Sequence, residues 1–63
     1  MIVFLIKNKG NNNIDSIFEK EIDALYETKK LYPNSHIGIG PHNHKVFDKT
    51  GQEVATVVRR EVS

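Results

Sequence analysis

The side chains best equipped for chemistry are His36, His42 and His44. His42 and His44 are separated by one residue, so on a strand both imidazoles would face the same way, as two ligands of a metal ion must. His36 or Asp48 would then supply a third ligand. However, Pro41-His42-Asn43-His44 reads as a turn, where polar residues need no further reason to be present. No metal or other cofactor is therefore expected. Together with Lys45 and Arg59 or Arg60, the same imidazoles would also supply parts for acid–base cleavage of RNA. Yet nothing fixes a second catalytic group beside either histidine. There is no nucleophile motif, no phosphate loop of known spacing and no pair of poised carboxylates. The residues point to a protein that is not an enzyme.

Two sets of charges carry the binding readings. The acids Asp15, Glu19, Asp23 and Glu27 repeat every four residues, and on a helix they make one ridge. Lys20 and Lys30 stand near enough to relieve it, so a solvated outer face is the plain reading. The functional reading is an acidic surface complementary to a basic protein partner. The cations Lys7, Lys9, Lys45, Arg59 and Arg60, with Phe47 among them, form the alternative, a basic patch at the sheet end that binds nucleic acid. A pI of about 8.1 and a net charge of +1 are low for a dedicated nucleic-acid binder.

The elements that must position these groups are few. Ile14, Ile17, Phe18, Ile22, Leu25 and Tyr26 recur at the spacing of one helical face, which predicts a helix over 13–32. Asn13, or Ser16 with Glu19 three residues on, would cap its start, and Pro33 would end it. Glu21 falls inside the apolar arc. It is expected at the rim reaching water, the alternative being a cation or histidine of the sheet. Residues 2–7 read as a central strand, apolar on both faces. Residues 8–12 read as a polar loop, and residues 36–41 as a short strand ended by Pro41. Residues 45–47 and 53–60 flank Asp48-Lys49-Thr50-Gly51, a type I turn in which Gly51 can supply positive φ.

The expected fold is thus a single small α+β domain over 1–63, in the order β-α-β-β-β. One helix lies on one face of an antiparallel-rich sheet. With Ile2, Phe4, Ile6, Val54 and Val58 turned to the helix, Val3, Leu5, Ala55 and Val57 would lie on the open face. An apolar patch of that kind marks an interface, with another protein or in a homodimer packed sheet to sheet.

With 63 residues the core is small, and with no cysteine no disulfide can brace it. The lack of cysteine also fits a cytoplasmic protein. The opening apolar run is too short for a signal-peptide core, and no membrane span is expected.

Ser16-Ile17-Phe18-Glu19-Lys20-Glu21-Ile22 resembles the Ser-x-Phe-x-Lys-Glu-Ile stretch of the small antitoxins of T-even phages. Lys45-Val46-Phe47-Asp48, followed by Val54 and Arg59, is similar to theirs in order and placing. The cysteines near the end of those antitoxins have no counterpart here. The resemblance implies a phage-encoded, non-enzymatic inhibitor that occupies the active-site region of a host toxin, RNase LS in that family, in the cytoplasm of the host cell.

Overall fold

A computed structural model describes residues 1–10 and 12–62. Asn11, within the expected loop, lies outside the described residues. Five strands and one helix follow in the order β1 (Ile2–Asn8), β2 (Ile14–Phe18), α1 (Glu21–Leu31), β3 (His36–Gly38), β4 (Asn43–Phe47) and β5 (Glu53–Glu61). All neighbouring pairs are antiparallel, in the sheet order β2-β1-β5-β4-β3. The α+β class, the single helix and the central place of the first strand are as the sequence predicts. The sheet has one strand more than expected.

That strand corrects the helix boundary. Residues 14–18 pair with β1, and the helix begins at Glu21. Ile14 and Ile17, three residues apart, mimic a helical face because β2 is bulged. Ser16 lies opposite Ile6, but Ile14 lies opposite Lys7, so Asp15 is the extra residue. In a regular strand residues 14 and 17 would point to opposite faces; the bulge brings both to the same one. Neither Asn13 nor Ser16 caps the helix. The N-cap is Lys20, in extended conformation and without a side-chain cap bond. The dipole is instead met by Glu21 and Asp23 in the first turn and by Lys29 and Lys30 in the last.

The shortened helix also buries a different face. Ala24 and Thr28 pack inward, and the Thr28 hydroxyl donates to the Ala24 carbonyl at 2.7 Å, so no polar atom is stranded. Ile22 and Tyr26, expected in the core, are each 69% exposed. The core beneath the helix is Ile6, Val46, Ala55 and Val57, with Phe4, Phe18, Leu25, Tyr32, Ile37 and Val54 at its margin. The expected facing of β5 is therefore inverted at Ala55 and Val57. They meet the helix, because Ile6 lies opposite Val57, and Val46 opposite Ala55. A second bulge, at Val54, turns that side chain to the core as well.

The hairpin from β4 to β5 forms as the sequence predicts. The Asp48 carboxylate accepts from the Thr50 hydroxyl at 2.5 Å, the Thr50 N–H at 2.8 Å and the Gln52 N–H at 3.0 Å. Gly51, at φ 90°, takes the left-handed position that closes a three-residue loop. The Thr50 hydroxyl, followed by the Gln52 N–H, holds the Asp48 carboxyl below its ordinary range.

These placements predict a sharp contrast between two isoleucines. Ile6→Ala should cost about 2–5 kcal/mol, the range for emptying a closed core site. Ile22→Ala should change stability by less than about 0.5 kcal/mol, as exposed positions do. Urea unfolding monitored by circular dichroism measures both. A helix starting at Asn13 would instead make Ile22→Ala a core lesion.

Candidate functional site

Pairing and bulges sort the charged side chains between the two faces of the sheet. On the face away from α1 stand Ile14 and Ile17 of β2, Val3, Leu5 and Lys7 of β1, and Thr56, Val58 and Arg60 of β5. Lys45 and Phe47 of β4 and His36 of β3 complete it. Lys7 and Lys45 flank Thr56 in one cross-strand row, and Arg60 lies opposite Val3. Arg59, opposite Phe4, belongs to the helix side. Lys9, just past β1, pairs with Glu53 at 3.4 Å. Lys7, Asn8, Lys9, Asn12, Thr56 and Val58 line an open concavity of about 440 Å³. Three of the five cations in the expected basic patch thus share one face, a fourth is already paired, and the fifth is on the other side.

The expected acidic ridge does not exist. It needs one continuous helix, and only Asp23 and Glu27 are on α1. Glu19 is exposed in the bend before it. Asp15, turned by the bulge of β2, accepts a hydrogen bond from the Tyr32 hydroxyl at 3.1 Å, while that oxygen accepts from Asn8 Nδ2 at 3.2 Å. This chain of three side chains ties β1 and β2 to the end of the helix. Burial, followed by the hydrogen bond and charge of Asp15, raises the Tyr32 phenol above its ordinary value of 10.0, against a smaller lowering by Asn8.

The expected apolar patch is also changed. Val3 and Leu5 do face away from the helix but are only 9% and 5% exposed, and Ala55 and Val57 are sealed under it. The large apolar side chains most open to solvent among the strand residues of this face are Ile14 and Ile17, 47% and 62% exposed. On the opposite side of the molecule Ile22 and Tyr26 form a second pair, one helical turn apart, with the Lys30 amino group 5.6 Å above the Tyr26 ring. The sequence holds all four residues, but their helix-like spacing disguises them as core.

The histidines do not converge. His36 is exposed on the edge strand and His42 in the preceding loop, whereas His44 is buried on the helix side. Among the described residues no three His, Asp or Glu side chains come together as a metal would need. Glu21 is half exposed, as expected of a rim position, and it also makes the partnership posed as its alternative. Its Oε2 lies 3.1 Å from His44 Nε2. The Gly40 N–H donates to His44 Nδ1 at 3.2 Å. Both ring nitrogens are engaged, so His44 anchors the loop before β4 and has no nitrogen left for a substrate.

No protein-family model, curated protein or solved structure matches this chain.

Two spectroscopic outcomes follow. Because Gly40 donates to Nδ1, neutral His44 should carry its proton on Nε2. Long-range proton–nitrogen NMR should show that tautomer, and Nδ1 protonation at neutral pH would break the assignment. The Tyr32 phenol should titrate above 10 by ultraviolet absorbance in a Tyr26→Phe background. Asp15→Asn should bring it only part of the way back, since burial is the larger cause. A raised phenol pKa means that the fold favours the neutral form. That contribution is intact below pH 10 and is lost as the pH climbs through the folded value, so alkaline unfolding should start earlier in Tyr26→Phe than in Tyr26→Phe/Tyr32→Phe.

Proposed function

We propose that this chain is a small non-enzymatic protein-binding module that docks through the outer face of its helix. The observation that carries the reading is the pair Ile22 and Tyr26, one turn apart, both 69% exposed and flanked by Asp23 and Glu27. Two large apolar side chains side by side on a rigid helix make an anchor pair, and tyrosine is enriched among residues that dominate binding energy. The helix itself is held by the buried Ala24 and Thr28 and by the Glu21–His44 and Tyr32–Asp15 contacts at its two ends, so little order need be gained on binding. The acids that remain on the helix steer toward a basic partner surface.

The resemblance to phage antitoxins suggests the class of partner, a host toxin whose active-site region the module would cover. A basic, RNA-handling surface on such a partner would suit Asp23 and Glu27.

Affinity capture tests the reading. The tagged chain should retain one stoichiometric protein from host lysate after nuclease treatment. Ile22→Ser/Tyr26→Ser should lose it by at least tenfold while keeping its unfolding midpoint. Capture that survives this double substitution, or that disappears with nuclease alone, would refute docking through the helix.

A further inference from the structure

The open sheet face faces away from the proposed docking helix and has a different chemistry. Its cations, the half-buried Lys7 and the exposed Lys45 and Arg60, come from three strands that are adjacent in the sheet, β1, β4 and β5. Among the described strand residues on that face one carboxylate appears, Glu53, and it is 18% exposed and paired with Lys9. The acids Asp15, Glu21, Asp23 and Glu27 are on the helix side or on the helix. Three of the nine lysines and arginines of a chain with almost no net charge thus share this face with one paired carboxylate.

The geometry of that surface is more specific than its charge. Lys7 and Lys45 are two strands apart across Thr56, about 10 Å at the usual strand spacing. Between them Thr56 offers a hydroxyl rather than a bulky or acidic group. Phe47 is two residues beyond Lys45 on the same side and is only partly buried. On the edge strand the exposed His36 is paired with it, and the diagonal neighbour on the side of Lys45 is Gly38, which has no side chain to cover that edge of the ring: a Cβ there would stand 3.4 Å from Phe47 Cε2. The result is an aromatic face at the end of a cationic row. The open concavity at Lys7, Lys9 and Asn12 lies at the other end of the row.

We propose that this face binds single-stranded nucleic acid. The backbone phosphates would run along Arg60, Lys7 and Lys45, with one base stacked on Phe47. A sheet presents a platform rather than an element that enters a groove. Stacking on a single aromatic ring requires a base that is free of its own duplex, so a single strand fits where a double helix does not. The site is independent of the helix surface, and the chain would then hold a protein partner beside a nucleic-acid strand.

Fluorescence anisotropy with a labelled twelve-residue oligouridylate tests this on the full chain. Binding should weaken with salt along a logarithmic slope of about −2, as three phosphate contacts on a single strand predict. Lys7→Glu/Lys45→Glu should weaken it at least thirtyfold. Phe47→Leu, which keeps the apolar volume, should weaken it about tenfold and leave the salt slope unchanged. Lys20→Glu/Lys30→Glu, at the start and near the end of the helix, should have no effect. Ultraviolet crosslinking of a 5-iodouridine oligomer should map to the peptide around Phe47, a readout that does not depend on the Phe47 variant folding. Equal affinity for a duplex or for polyglutamate would overturn the proposal, because the face would then read charge alone. Equal loss from the helix charge reversal, or no binding at 100 µM protein (a concentration of about 10⁻⁴ M, at the weak end of non-specific binding), would overturn it too.

Discussion

The structure depends on one demand, that β1 be buried on both faces and paired on both edges. Its residues Val3, Leu5 and Ile6 are all nearly or wholly inaccessible, which an edge strand of so small a protein could not achieve. Burying apolar groups on both sides of a strand needs neighbours left and right before it needs a covering layer. β5 supplies one edge over seven paired residues and β2 the other. Recruiting residues 14–18 to that second edge is what shortens the helix. α1 is then only eleven residues long, and it can cover one face of the sheet and no more.

From this the distribution of charge and exposed apolar groups follows. A helix limited to Glu21–Leu31 turns Ala24 and Thr28 to the sheet, where small side chains allow close approach. Ile22 and Tyr26 are thereby turned outward. On the far face, which the helix does not cover, Lys45 and Arg60 stay exposed and Lys7 half-buried, while Leu5 and Val3 are shielded beside their strand neighbours. Polar ties among the described residues, Glu21 to His44, Tyr32 to Asp15 and Asn8, and Lys29 to the Ser35 carbonyl, connect the helix to the sheet or to the turn after it. They fix a layer whose apolar contact area is small.

The hairpin was legible because its signal is local. Asp48 and Gly51 carry the turn in their own side-chain and backbone preferences, and no distant residue is needed to decide it. The helix was legible from Glu21 onward for a similar reason, with acids first, lysines last and Pro33 beyond. Its start was not, since Ile14, Ile17 and Phe18 satisfy two periods at once. A bulged strand puts residues three apart on one face, as a helix does. In the same way, the alternation in 54–58 has apolar residues on both faces, and no local feature says which face meets a helix.

The sequence by itself determined the α+β class, the one helix, the central first strand, the hairpin and the identity of the basic residues. Each of these rests on propensities and turn chemistry within a few residues. Only the tertiary structure decided that Asp15 and Glu19 leave the helix, that Ala55 and Val57 are core and that Lys7, Lys45 and Arg60 share a face. Those outcomes turn on strand register and on two bulges. Register is set by pairing between segments as far apart as residues 7 and 56, and a single extra residue reverses every facing beyond it.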